Sequence, residues 1–356
     1  MAQKNVGILS MGDMLKQKFI SPVKLGLDII MASLNADLAI HNRIVNDQLS
    51  LFVGETTSDR RRRYGVAGNI EFNKADEFTR SHTQKVLTGS EVEFPMDGFQ
   101  AAIGWTAMFF KNKSVADLAM TQVAAKVGHV QAIRKELQRA MYVSANYSTL
   151  DYRVDNVQLD VKRFVNADGA EIPLGPNAEI FNASTHTHYL FSNGLTAAGA
   201  DALVQTVIEH RNDGSPTIFI NLSDEAAWRA LPNFKPFVDS RLTLPITTSN
   251  PTMRLNPFRT NDRQIGLYGA ATVWVKPWGI SNYGLCIDID NPMKPLAART
   301  RDGSAISLET VGTNVLFPIQ ADYMESEFGF GVWTRTNGAV LYHGAGAVAY
   351  VDAPIP

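Results

Sequence analysis

The sequence predicts an α+β fold in which one very long helix carries a set of strands and one charged hairpin projects from them. Three observations lead there. Residues 114–142, SVADLAMTQVAAKVGHVQAIRKELQRAMY, hold an apolar stripe at helical spacing. Residues 51–105 alternate apolar and charged side chains about a glycine turn, with too few apolar residues for a core of their own. After residue 143, short apolar runs bounded by turn residues recur, broken by a helical stretch near 196–212.

Along the chain, residues 1–50 read as an N-terminal arm. The first 21 residues are mixed and turn-rich, an arm rather than a packed element. A helix is predicted from Pro22 to Ile40. Val23, Leu27, Ile30, Met31, Leu34 and Leu38 recur at threes and fours, and proline suits a first turn. Residues 51–105 form the extended loop, a long β-hairpin with Ile70, Phe72, Phe78, Val86, Val92 and Phe94 as its apolar alternation and Gly89 in a turn. A hairpin of this kind is stable only against another surface.

Residues 106–189 contain the long helix, 114–142. Ser114 followed by Asp117 makes a capping box, and Arg134, Lys135 and Arg139 complement the dipole at its far end. At 1.5 Å per residue this helix spans roughly 40 Å. VQLDVKRFVNADGAEIPL then suggests a second hairpin about Asn166-Ala167-Asp168-Gly169. In 190–309 a helix from Thr196 to Asn212 is followed by an apolar strand, Thr217 to Ile220. A helix capped by Ser223, with Asp224 and Glu225 in its first turn, comes next, and the order suggests an α/β subdomain. Residues 310–356 return as strands.

Composition narrows the chemistry. The chain has 356 residues, 45% hydrophobic and 19% charged, as an ordinary folded protein does. A net charge of -2 gives no global attraction to nucleic acid. One cysteine, Cys286, excludes an intrachain disulfide framework, and its apolar surroundings place it in the core. Neither a secretory leader nor a transmembrane run is read, so a soluble chain without a membrane partner is expected. No nucleophile elbow, phosphate-binding loop or dinucleotide fingerprint occurs, so neither an enzyme nor a cofactor is expected.

Four local features carry possible chemistry. His186 and His188 share a strand face and could hold one metal, but the sequence names no third ligand; a half-exposed polar face, without metal, is the expectation. Asp288 and Asp290, and likewise Glu325 and Glu327, share faces that could serve carboxylate chemistry; a solvated or interface face is expected. His129, near the polar side of the long helix, is expected to face solvent or a partner. Arg60, Arg61, Arg62 and Arg63 suit phosphate, a neighbour's carboxylates, or water alone. Only Tyr64 interleaves with them, which argues against base stacking.

The order of elements resembles the major capsid proteins of tailed double-stranded DNA phages, the Hong Kong 97 fold. VEFPMDGFQAAIGWTAMFFKNKSVADLAMTQVAAKVGHVQAIRKELQRAMY looks like the end of the extended loop entering the spine helix. SPTIFINLSDEAAWRAL and IGLYGAATVWVKPW look like axial-domain strands. The resemblance implies a peripheral domain from 106–189 and 310–356 and an axial domain, 190–309, pointing to the centre of a pentamer or hexamer. It places the extended loop over the adjacent subunit and the arm on another. It further implies an icosahedral shell, made and assembled in the host cytoplasm, with double-stranded DNA on its inner face and portal, scaffold or decoration proteins as partners. Some branches crosslink a loop lysine to a neighbour's asparagine. Lys74, Lys85, Asn314 and Asn337 match no specific pattern, so no crosslink is expected. The family often carries an N-terminal scaffolding segment; with the loop starting near residue 51 none is expected here, so that a separate scaffold exists, the segment has been removed, or none is needed. Two alternatives stand beside this reading: an encapsulin-type nanocompartment shell, and a metal-dependent hydrolase built on His186 and His188.

On the shell reading, the arginines pair with carboxylates of a neighbour: Glu71, Asp76, Glu77, Glu91 and Glu93 of adjacent loops, or Glu325 and Glu327 of a late strand. Lys74 and Lys85 join the same contact. Replacing all four arginines with serine is then expected to impair assembly, read by electron microscopy, while the subunit stays folded. Normal assembly with poor DNA packaging would favour the phosphate reading.

Overall fold

The computed structural model describes residues 8–63, 91–210, 214–237, 261–316 and 319–355, together with 72, 74–78, 80, 82–83, 242–243 and 254–255. Helix α1 (Met11–Lys16) is capped by the Ser10 hydroxyl, which accepts the Asp13 N–H. Helix α2 (Pro22–Leu25) opens on its proline and stops at Gly26, whose φ of 104° suits glycine alone. Helix α3 then runs Leu27–Leu49. The helix expected over 22–40 is thus interrupted at Gly26 and continues nine residues further. Its later turns persist because Val45 and Leu49 are buried in the main core.

The arm is not free. Met14 is fully buried among Ile30, Leu34, Trp105, Val115, Leu118 and Ala119. The expectation that the first 21 residues are unpacked is corrected for residues 8–21. Met11, Met14 and Leu15 make one short apolar face, and the long helix of the same chain covers it.

Strands β1 (Val53–Thr57), β2 (Arg61–Arg63), β3 (Glu91–Glu93) and β4 (Asp97–Thr106) follow. Helix α4 (Ala107–Asn112) leads into α5 (Val115–Tyr142), which has the expected capping box, with Ser114 and Asp117 each satisfying the other's backbone N–H. Strands β5 (Tyr147–Leu150) and β6 (Gln158–Val161) pair antiparallel. The hairpin expected about 166–169 does not form, because β6 turns back on β5. The Asn-Ala-Asp-Gly stretch still turns, with positive φ at Ala167 and Gly169. Buried Arg335 grips it by donating to the Arg163 carbonyl at 2.7 Å, to Asn166 Oδ1 at 3.0 Å and to Asp168 Oδ2 at 3.0 Å. Burial alone would raise the Asp168 carboxyl, but Arg335, Lys162 and Asn146 bring it down to about 2.

The remaining elements are β7 (Tyr189–Phe191), α6 (Ala197–Ile208), β8 (Pro216–Ile220), α7 (Glu225–Arg229), β9 (Phe234–Pro236), β10 (Leu242–Thr243) and β11 (Arg254–Leu255). Then come β12 (Arg263–Tyr268), β13 (Ala271–Val275), β14 (Tyr283–Asp288), β15 (Leu296–Arg299), β16 (Glu309–Leu316), β17 (Ile319–Val332) and β18 (Ala339–Tyr342). Among these strands, two sheets organise the molecule. The first runs β1-β15-β17-β16, with β4 also on β17; the second runs β7-β18-β14-β8-β13-β12-β9. Sheet membership cuts across the expected division at 190–309, since β15 joins the first sheet and β18 the second. The main core joins α5, through Ile133, Leu137 and Met141, to Phe328, Phe330 and Val332 of β17 and to β14. A second core lies between α6, α7 and the seven-stranded sheet, around Leu203, Ile218 and Trp228. Among the described residues, no helix is long and apolar enough to cross a membrane.

Close approach of backbones holds the hairpin root against β17. A Cβ on Gly329 would stand 2.2 Å from the Pro95 carbonyl oxygen, and one on Gly331 would stand 2.4 Å from the Phe94 ring. Since Pro95 presents backbone, it cannot rotate aside. Gly329→Ala is expected to lower subunit stability by about 1–3 kcal/mol, read as a lower urea midpoint with unchanged slope.

Candidate interface at the root of the extended hairpin

Strands β2 and β3 pair antiparallel, with Arg61 opposite Glu93, Arg62 opposite Val92 and Arg63 opposite Glu91. Alternation puts Arg61 and Arg63 on one face with both glutamates, where opposite charges support the register. This pair is the root of the expected hairpin. Glu71 and Lys85 lie outside the described residues, as does most of 64–90. Of the described pieces, Lys74 and Glu77 are exposed. Phe72 and Phe78 are 99% and 93% exposed.

The four arginines meet carboxylates of their own chain. Arg60 Nε lies 3.1 Å from Asp151 Oδ2, and its Nη1 lies 2.9 Å from Asp155. That contact lowers the Asp155 carboxyl, chiefly through the hydrogen bond. Arg61 pairs with Glu93, and with Glu91 at 3.5 Å. Arg62 pairs with Glu55, with Asp59 at 2.7 Å, and rests over the Trp333 ring at 5.5 Å. Arg63 reaches Glu91 at 3.4 Å from an exposed position. Within the chain, Glu91 and Glu93 thus serve their own strand partner, because a two-stranded register sets them opposite. The deepest contact is at Asp151, whose side chain is fully buried. Arg299 Nη2 reaches the same oxygen at 2.7 Å, and Arg299 Nη1 donates to the Phe94 carbonyl at 3.0 Å. The buried carboxylate therefore joins the residue before β2 to β15, and Arg299 in turn reaches Phe94, just past β3.

Other residues singled out from the sequence have similar outcomes. Glu325 and Glu327 share a face of β17, as expected. Arg153 sits 3.0 Å from each, and Arg301 Nη2 donates to Glu327 at 2.8 Å. Arg301, through its hydrogen bond, leads the lowering of the Glu327 carboxyl. The two glutamates line an open cleft of about 350 Å³ with Thr300, Arg301 and Ser326. Asp288 is buried and accepts the N–H groups of Asp290 and Asn291, shaping a turn. Asn337 is bound to Asp288 and Met293 of its own chain, which holds its amide away from any neighbour. Cys286 is buried in β14, and burial pushes its thiol up.

Two histidine expectations are corrected. His129 is buried, not solvent-facing: it lies 3.0 Å from Ser326 Oγ and 3.0 Å from His41, linking α5 to β17 and α3. Burial, then His41, brings it down to about 4. His186 and His188 do not form a half-exposed pair, since His188 is fully buried. Their Nε2 atoms lie 3.2 Å apart, and His210 Nε2 lies 3.2 Å from the first and 3.1 Å from the second. Glu209 Oε1 stands 3.3 Å from His186 Nε2. Burial pushes His210 down to about 4 and Glu209 up to about 6. Glu209 and His210 went unread in the sequence. Their signal was a Glu-His pair in the last turn of a predicted helix, which no spacing rule connects to residues 186 and 188.

No protein-family model matches the sequence, and no curated protein does. Solved structures do match. A chain of Mycobacterium phage Patience superposes with a TM-score of 0.65 at 16% identity, covering 100% of this chain and 98% of that one. Weaker matches include the holo-SrpI encapsulin complex from Synechococcus elongatus PCC 7942, with TM-score 0.42, 10% identity and 86% and 88% coverage. Another is the capsid of Myoviridae Phage XM1, with TM-score 0.42, 12% identity and 83% and 90% coverage. The chain thus has an α+β, Hong Kong 97-like fold.

The serine quadruple variant is no longer expected to leave the subunit intact, because Arg60 shares a buried carboxylate. Arg60→Ser alone is expected to cost about 1.5–2 kcal/mol of subunit stability, since Arg299 still pairs with Asp151. Arg63→Ser is expected to cost under about 1 kcal/mol. Urea unfolding of the two single variants separates them.

Proposed function

We propose that the chain is the major capsid protein of a tailed double-stranded DNA phage, a subunit that self-assembles into the pentamers and hexamers of an icosahedral shell around the genome. The observation that carries this reading is the hairpin: its root is fixed by buried charge while Phe72 and Phe78, farther out, are almost wholly exposed. Two large aromatics on a projecting, core-less element cost solubility unless a partner covers them. Met120 and Val127, bare on the outer side of α5, extend the apolar surface along the spine. A full-length fold shared with a phage chain supports the same reading.

In this mechanism the α5–β17 body sets the position of the root, and the root aims the hairpin across the adjacent subunit. Lys74, Glu77 and the outward parts of Arg61 and Arg63 make the polar rim of that contact. Arg60 and Arg62 hold the root itself. Glu325 and Glu327 act by ordering Arg153 and Arg301 beside the cleft. The reading includes no catalysis. Portal, scaffold or decoration proteins and packaged DNA are the further partners, and the virion is the location.

The test replaces residues 64–90 with a short turn joining Arg63 to Glu91, which already pair. The parent is expected to yield shells or capsomers by light scattering and negative-stain imaging. The variant is expected to melt like the parent subunit and to form neither. Shells from the variant would remove the strap role, and a discrete parent dimer would overturn the shell reading. An enzyme cargo in place of DNA would make the shell an encapsulin-type compartment.

A further inference from the structure

We propose that His186, His188, His210 and Glu209 form a four-ligand zinc site that staples the loop before β7 to the end of α6. The argument begins with three nitrogens. The Nε2 atoms of the three histidines are mutually 3.1–3.2 Å apart. An imidazole nitrogen either carries a hydrogen and donates, or carries a lone pair and accepts. Three atoms with two possible states must include two in the same state. At least one of the three contacts is therefore repulsive, and no choice of tautomers makes the triangle a hydrogen-bonded network. A cation at its centre turns all three lone pairs inward and removes the conflict.

The geometry fits such a cation. At Zn–N distances of 2.0–2.1 Å, a tetrahedral site has edges of roughly 3.3–3.4 Å. The nitrogen triangle and the 3.3 Å Glu209–His186 contact come close to that. All four donor atoms lie within 4.8 Å of one another. His188 Nδ1 donates to the Gly338 carbonyl at 2.7 Å, which leaves its Nε2 with a lone pair aimed at the centre. A backbone carbonyl on the far nitrogen is a usual support of a metal-bound histidine.

The scaffold is also suited. His188 is held on both sides by backbone, its N–H to Val165 and its carbonyl to the Val340 N–H, each at 2.8 Å. Glu209 is the C-cap of α6, where the helix dipole favours positive charge. Phe181 lies against His186 and His210, with ring centroids 4.8 and 4.2 Å away, and screens the cluster from water. Imidazole-rich donors favour zinc and its late first-row neighbours over magnesium or calcium. Four protein donors, two of them on almost fully buried histidines, make a closed site, which is structural rather than hydrolytic. This is also the reason to set the hydrolase alternative aside.

The test uses untagged full-length protein, stripped with chelator and then titrated with Zn²⁺. One zinc per chain, measured by mass spectrometry of the metal, is expected, with a higher melting temperature on loading. Co²⁺ in its place is expected to give the intense visible bands of a tetrahedral ion. Glu209→Gln keeps the size of the side chain and is expected to weaken zinc binding about tenfold or more. His186→Ala, at the most open histidine, is expected to abolish stoichiometric binding while the chelated variant melts like chelated parent. A folded parent that retains no zinc after loading would overturn the proposal. So would binding that survives both substitutions, or a cobalt spectrum of six-coordinate form.

Discussion

The Asp151 carboxylate, fully buried and shared by Arg60 and Arg299, is the contact on which the projecting part of the molecule depends. A lone carboxylate in that position would be strongly unfavourable, so at least one arginine must stay on it, and the buried Arg299 is the closer of the two. Arg60 immediately precedes β2, which enters the hairpin. Arg299 comes from β15, and its other nitrogen holds the Phe94 carbonyl on the strand that exits. Both legs of the hairpin are thereby tied to the first sheet by a single charge. The glycines at 329 and 331 permit the exit strand to lie directly on β17.

From this root outward the physical character changes. Inboard charges are paired, and the Asp151–Arg299 pair at their centre is buried. Outboard, the side chains on the described pieces are exposed, Phe72 and Phe78 almost wholly. On the shell reading proposed above, a subunit divided in this way folds before assembly and is completed by it. The histidine cluster belongs to the other sheet and concerns a different need. It brings residues of the loop before β7 against the end of α6.

Much of the fold was legible because it is local. The capping box at Ser114 and Asp117, the stripe of α5, and the apolar run of β8 each lie within a few residues, and each has its expected form. The hairpin was legible in its alternation but not in its bounds or its charge pairing: 53–57 and 97–106 join the first sheet, and the arginines read as facing a neighbour pair with Glu91 and Glu93 of their own chain. What was not legible joins distant residues. Asp151 meets Arg299, His129 meets Ser326, and His188 meets His210 across a whole helix. The arm was misread because its apolar face is only one turn long, and its burial depends on α5, about a hundred residues later. The second hairpin was misread because a turn motif does not say which strand the chain will pair with. Arg335, far along the sequence, fixes that turn instead.

The central claim is that the hairpin is rooted by its own subunit and covered by the next. A residue-resolution cryo-electron microscopy reconstruction of the assembled particle tests it most directly. The account requires Arg60, Asp151 and Arg299 to meet within one subunit, with residues 64–90 lying on the adjacent subunit and Phe72 and Phe78 buried there. A particle in which residues 64–90 fold back on their own subunit, or in which both phenylalanines remain in solvent, would contradict it.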